Sequence, residues 1–208
     1  MKTDRLEFFT DGVFAIAITL LVLEIKIPNH EQVHHAGGLY NYLMHIWPAY
    51  LSYIMSFMAI GIYWSNLHHF YTYIVKKTNH TFNLLNILFL MTIAFMPFTT
   101  AVFADYVLDA ESFGAAVSTF SLGFLLPVPA VLIIFLYAIN NKQIIDTRLT
   151  DAFLKKQMFK LFMSIGMLTF AFILSFYYPM VSLCMILGSF VLYFLPPDMP
   201  EYKDDILE

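Results

Sequence analysis

The sequence predicts an all-α fold, a polytopic membrane bundle of six transmembrane helices, and three observations lead there. Of its 208 residues, 60% are hydrophobic and only 12% charged, with a mean hydropathy of +0.70, far from the balance of soluble domains. The apolar residues gather into runs of about 20, enough for a helix rising about 1.5 Å per residue to cross a ~30 Å hydrocarbon core. Cationic residues, in turn, collect on one side of the resulting alternation.

The first span is placed at residues 6–25, "LEFFTDGVFAIAITLLVLEI". It holds Asp11 and continues into Lys26 with no small-residue cleavage site, so it reads as a retained helix and not as a signal peptide. The second span, 46–67, lies in a stretch, 32–75, without Asp, Glu, Lys or Arg, and the third is 83–104. The fourth, 113–137, contains Pro127-Val128-Pro129, which should bend it or interrupt its hydrogen bonding. An uncharged run, 161–197, is too long for one upright helix, and "FYYPM" at 176–180 supplies a turn because proline disfavours helix at the preceding residue. Spans at 161–176 and 180–195 follow. The segment 139–157 reads as a polar connector, the tail "PPDMPEYKDDILE" as a solvated end, and residues 1–208 as one domain without internal repeats.

With six spans both termini share a side. Of the 11 Lys and Arg residues, only Lys26 falls on the opposite face, which instead carries Glu31, Asp105, Asp109 and Glu111. The positive-inside rule therefore predicts cytoplasmic termini, and the expected location is the plasma membrane as a multi-pass protein.

Enzyme chemistry has little to stand on. The sole cysteine, Cys184, lies in an apolar run, so neither a disulfide framework nor a thiolate metal cluster is expected. "HEQVHH" at His30–His35 lacks the spacing of the His-Glu-x-x-His zinc motif. No nucleophile arrangement is recognisable. No catalytic residue, resident metal or cofactor is expected, nor any nucleic-acid or small-molecule substrate partner. The lipid bilayer is the partner that composition predicts.

On a 3.6-residue helix Ile16, Thr19, Leu20 and Leu23 share a face, which Phe9 and Gly12 extend. Spacing alone reads as ordinary packing or lipid contact, because every face of an apolar helix is a hydrophobic stripe. Asp11 is more demanding. It lies about 9 Å of rise beyond Arg5, at a depth where a carboxylate must be paired, hydrogen-bonded or wet. Asn66 and His68 near the end of the second span, or Asn79, Asn83 and Asn86 entering the third, are its candidate partners. A structural network and direct participation in ion passage both remain open readings.

"FFTDGVFAIAITLLVLEI" resembles the first helix of the endosomal and lysosomal potassium channel family, the transmembrane protein 175 family. Members carry a Phe-Ser-Asp motif, which here reads Phe9-Thr10-Asp11, the hydroxyl being kept. "IYWSNLHHFY", with Trp64 and His68, is similar to the end of the family's second helix, and "NLLNILFLMTIAFMPFTTAV", starting at Asn83, to its third. The resemblance covers the first half of the chain in detail and the second half in hydropathy and span count.

The resemblance implies a homotetrameric potassium channel, built without the Thr-Val-Gly-Tyr-Gly filter that this sequence also lacks. Four first helices would line its central pore. Ile16, Thr19, Leu20 and Leu23 fall at the constrictions, where potassium would pass transiently near Ile16 and Thr19. Arg5, Phe9, Thr10, Asp11, Trp64, His68 and Asn83 would form a structural network holding that helix in register. Glu24 and Glu31 would face the extracellular mouth, opposed by Lys26. The rival expectation is a proton-coupled secondary transporter, or a proton leak, using Asp11 and His68 as a relay. Against it stands the missing inverted repeat.

Overall fold

The computed structural model describes residues 4–193 and 198–203. Helix α1 (Asp4–Leu20) is prolonged by a 3-10 turn (Leu21–Glu24). There follow α2 (His30–His35), α3 (Leu39–His45), α4 (Trp47–Tyr73), α5 (His80–Tyr106), α6 (Phe113–Leu125), α7 (Pro127–Asn140), α8 (Asp151–Ser175) and α9 (Pro179–Tyr193). Among the described residues there is no strand, only isolated bridges joining Val75 to Ile145 and Leu149 to Tyr202. The all-α membrane fold is thus the observed one.

Four helical stretches, Arg5–Glu24, His80–Tyr106, Phe113–Asn140 and Asp151–Ser175, are long and apolar enough to cross a bilayer. The pair α3 and α4, bent by 49°, makes a fifth, while α9 is a shorter apolar helix. The end of the last predicted span, 194–195, lies outside the described residues, as does Lys2.

Several boundaries differ from the sequence expectation. The α-helical hydrogen bonding of α1 stops at Leu20, and the last four residues of the span tighten into 3-10 geometry. Helix α8 begins at Asp151, ten residues before the predicted 161, so the polar connector is correspondingly shorter. Thr150 caps it by accepting from Phe153 N at 3.2 Å, and Lys155, Lys156 and Lys160 occupy its first turns. Hydropathy marks where lipid begins, whereas capping marks where helix begins. The double proline does divide the fourth span, at Leu126. Pro127 opens α7, where its missing N–H costs nothing, and the two helices continue as one stretch. Helix α9 starts at Pro179, within the predicted turn and one residue before the predicted 180.

Helix α5 is the hub, packed against α1, α4, α6 and α7, while α8 and α9 lie beyond α6. Its apolar contacts are largely aromatic: Phe103 stacks on Phe120 at 4.5 Å, and Phe89 meets Phe14 of α1 at 6.0 Å. Lipid tails are as apolar as these side chains, so close packing and polar contacts must hold the helices together. Gly123 shows how close α5 and α6 come. A Cβ there would lie 2.2 Å from Thr99 Oγ1.

The end of the bundle that carries the basic loops is tied by short extended segments. Lys76 N donates to Ile144 O at 2.7 Å and Asp146 N to Ile74 O at 2.9 Å, joining the α4–α5 and α7–α8 connections. The buried Asp146 carboxylate accepts from Arg148 Nη2 at 2.8 Å and pairs with Lys76 at 3.5 Å. Hydrogen bonding from Arg148 holds its pKa at about 2, below the ordinary 3.8. The tail is not a free solvated end over residues 198–203. Thr150 N donates to Glu201 O, Lys203 N donates to Arg148 O, and the Arg148 guanidinium lies 5.2 Å over the Tyr202 ring.

Gly123→Ala is expected to lower stability by about 1–3 kcal/mol through overpacking. Thr99→Ala in the same chain should recover part of that loss, since it removes the hydroxyl and methyl the new Cβ meets. Thermal unfolding in detergent reads both, and no recovery in the double variant would place the strain elsewhere. Asp146→Asn should cost about 1–2 kcal/mol at neutral pH. Because the folded pKa is depressed, the carboxylate's contribution is complete above about pH 4 and fades as pH falls toward 2. The gap between wild type and Asp146→Asn should therefore close over that interval, and a gap constant with pH would contradict the ion-pair account.

Candidate functional site

Helix α1 has two faces. Leu6, Thr10, Phe14, Ala17 and Leu21, at helical spacing, are buried against α4 and α5. Phe9, Gly12, Ile16, Thr19, Leu20 and Leu23 are turned away from the bundle; Ile16 is 62% exposed and Leu23 70%. The 3-10 turn sharpens this outward stripe, because residues three apart eclipse one another in that geometry. Leu23 accordingly stands over Leu20, while Leu21 between them is fully buried.

Thr19 Oγ1 lies 2.9 Å from both Ala15 O and Ile16 O, so its single proton is directed back to the helix backbone. What the hydroxyl presents outward is its oxygen lone pairs. An exposed apolar stripe interrupted by one oxygen acceptor is therefore the character of this face.

Two polar contacts fasten the helix, one opposite this face and one on its flank. Thr10 Oγ1 accepts from Asn86 Nδ2 at 2.9 Å, and Asn86 Oδ1 accepts from Tyr71 Oη at 2.7 Å. All three residues are buried, so α1, α5 and α4 are joined by a chain of hydrogen bonds away from water. On the exposed flank, Trp64 Nε1 donates to Asp11 Oδ1 at 2.8 Å, and His68 stacks on the Trp64 ring at 5.8 Å and 17°. Asp11 thus lies at the edge of the outward face, satisfied by an indole.

Of the residues expected to form one network, the structure brings Asp11, Trp64 and His68 together, and Thr10 through Asn86. Arg5 and Phe9 are exposed; among the described residues neither hydrogen-bonds this group, and Arg5 forms no ion pair with Asp11. Asn83 Oδ1 is buried without a hydrogen-bond partner among the described residues, and the amide that binds Thr10 is Asn86, three residues on. Tyr71 was not singled out by the sequence. Its signal was available as a phenol facing an amide one helix away, which only a known pairing of α4 with α5 could have exposed. At the other end of α1, Lys26 pairs with Asp105 of α5, so this cation near Glu24 has its own counter-ion. Glu31 pairs weakly with His35 at 3.8 Å on α2. Among the described residues no three His, Cys, Asp or Glu side chains converge as a metal site requires.

Comparison with known proteins fits this arrangement. The sequence profile of the family described as "Endosomal/lysosomal potassium channel TMEM175" matches residues 5–97, the region of α1, α4 and most of α5. A potassium channel of a Chryseobacterium species is 32% identical over 188 residues, covering 88% of either chain. The chain belongs to the TMEM175 family. A potassium channel of Chamaesiphon minutus is 46% identical over 55% of this chain and 56% of its own length, so the match spans about half of that TMEM175 relative. The crystal structure of a lysosomal potassium-selective channel TMEM175 homolog from the same organism superposes with a TM-score of 0.83. It is 33% identical, and the match covers 93% of this chain and 96% of that one. The bundle is thus a TMEM175 bundle, a membrane protein throughout.

The two fasteners should differ in worth. Asn86→Leu leaves Thr10 and Tyr71 without partners in a dry interior and should cost about 2–3 kcal/mol, whereas Trp64→Phe, releasing a carboxylate that water can reach, should cost about 1 kcal/mol or less. Unfolding in detergent measures the ranking, and an inverted order would move the anchor of α1 to Asp11.

Proposed function

We propose that this protein is a potassium channel of the plasma membrane. It assembles as a homotetramer, with the outward face of α1 from each copy lining a central pore. The observation that carries the proposal is that face itself: an apolar stripe of Ile16, Leu20 and Leu23, left uncovered by the chain's own helices and broken by the Thr19 oxygen. Four copies of Ile16 and the leucines make rings that gate by dewetting, and four threonine oxygens with the nearby helix carbonyls supply hard ligands for a monovalent cation. The relatives named as potassium channels support the choice of ion.

The network behind the stripe serves as structure in this reading. Asp11 and His68 have no direct contact to carry a proton; Trp64 stands between them, donating to one and stacking on the other. Their relay role is therefore the weaker alternative. The basic loops and both termini face the cytoplasm by the positive-inside rule. Glu24 then lies toward the extracellular mouth, where fourfold repetition concentrates cations.

Reconstituted bilayer recordings with potassium, sodium and proton gradients test the proposal. Wild type should carry a potassium current reversing near the potassium equilibrium potential. Ile16→Asn should raise conductance about two- to tenfold by wetting a hydrophobic ring, and Thr19→Ala should change selectivity. If Ile16→Asn, Thr19→Ala and Leu23→Ala all conduct as wild type does, α1 does not line the pore.

A further inference from the structure

A cavity of about 410 Å³ lies between α4, α7 and α8, well away from the outward face of α1. Its volume is in the range of built ligand sites. Val131 of α7 and Met163 and Met167 of α8 line its apolar part; His69, Gln157 and Lys160 form its polar end, toward the basic loops. Met167 is seven residues beyond Lys160, about 10 Å along α8, so the cavity runs from the charged end into the apolar depth of the bundle. Met163 and Phe159 on its rim are exposed, so the cavity opens on the surface of α8. That helix packs on α6, α7 and α9, whereas α1 packs on α4 and α5.

The polar end already holds an anion. Asp198 of the tail pairs with Lys156 at 3.0 Å and Lys160 at 2.6 Å, and accepts from Gln157 Nε2 at 3.4 Å. Two ammonium groups therefore converge on one carboxylate, leaving a net charge of +1 within the cluster. His69 adds a buried Nε2 that makes no close hydrogen bond among the described residues, its ring lying beside the Asp198 backbone and carboxylate.

We infer that this cavity is a binding site for an anionic glycerophospholipid, with one acyl chain along Val131 and Met167 and the phosphate between Lys156 and Lys160 in place of the Asp198 carboxylate. Three features select that occupant. The cavity opens on a surface of a membrane helix, its depth is apolar, and its cationic end stands where the apolar part of α8 begins. Basic recesses between membrane helices at this level bind anionic head groups. The exchange is competitive and breaks no covalent bond: the lipid phosphate takes over the two lysines, and the tail carboxylate is released to water. Occupancy of the site is thereby coupled to the docking of residues 198–203 on the α7–α8 connection.

Native mass spectrometry of the purified full-length oligomer, titrated with phosphatidylglycerol or with phosphatidylcholine of matched acyl chains, tests the inference. Wild type should bind phosphatidylglycerol more tightly, with about a fivefold contribution per lysine. Lys156→Gln with Lys160→Gln should abolish the preference, and Val131→Phe, filling the apolar part, should weaken both lipids. Asp198→Asn removes the competitor and should tighten phosphatidylglycerol several-fold, a gain that a merely structural ion pair does not produce. Equal binding of the two lipids to wild type would overturn the proposal. So would displacement of the lipid by millimolar inorganic phosphate, or weaker phosphatidylglycerol binding in Asp198→Asn. A loss of oligomer in Val131→Phe would show the cavity to be covered by a second copy and would equally overturn it.

Discussion

The hydrogen-bonded chain from Thr10 through Asn86 to Tyr71 is the constraint on which the rest of the molecule depends. In lipid, apolar surface has no preference between a neighbouring helix and an acyl tail, so apolar packing alone does not define the rotation of α1 about its axis. An amide that donates to one helix and accepts from another does define it, because any other rotation leaves polar atoms unpaired in a dry interior. The buried residues at spacing four and three on either side, Leu6, Phe14, Ala17 and Leu21, then follow Thr10 inward. Ile16, Thr19, Leu20 and Leu23 are outward because Thr10 is inward.

The hub position of α5 extends the same logic. It supplies Asn86 to the clasp, Phe89 to the contact with Phe14, Thr99 to the close approach of α6 at Gly123, and Asp105 to the pair with Lys26. Thus one helix holds α1 at its middle and, beyond the 3-10 turn, at its far end. The 3-10 turn stays registered because Leu21 is buried while its neighbours are not. The pore wall proposed above, made of single helices from separate copies, would need this rigidity, because a small rotation would exchange the Thr19 oxygen for a methyl. The tail, the α7–α8 connection and the α4–α5 connection form a second tied region at the basic end. Beside its main-chain hydrogen bonds it is held by ion pairs of Asp146 and Asp198 with half-exposed Lys and Arg side chains, so it answers to pH where the clasp does not.

Much of the site was legible as types of residue and little of it as pairs. Asp11 was recognisable because a carboxylate under the headgroups demands a partner, and Trp64 and His68 because their motif accompanies it. Choosing between Asn83 and Asn86 needed more than the sequence: both are amides at the start of one helix, and the hundred-degree step per residue decides which one faces α1. Arg5, expected in the network, lies on the exposed side. The early start of α8 was hidden for another reason, since its first turns are charged and look like loop to any measure of hydropathy. Likewise the tail, polar and rich in proline, resembled a solvated end until Asp198 was seen between two lysines.

By itself the sequence determined the all-α membrane class, because that depends on composition, helical rise and the cost of charge in hydrocarbon. It also determined that one face of the first helix would read Ile16, Thr19, Leu20, Leu23, since periodicity is local. Only the tertiary structure decided that this face is the one left uncovered. Every face of α1 is apolar, and the choice among them rests on which buried polar group finds a partner on a helix 76 residues away.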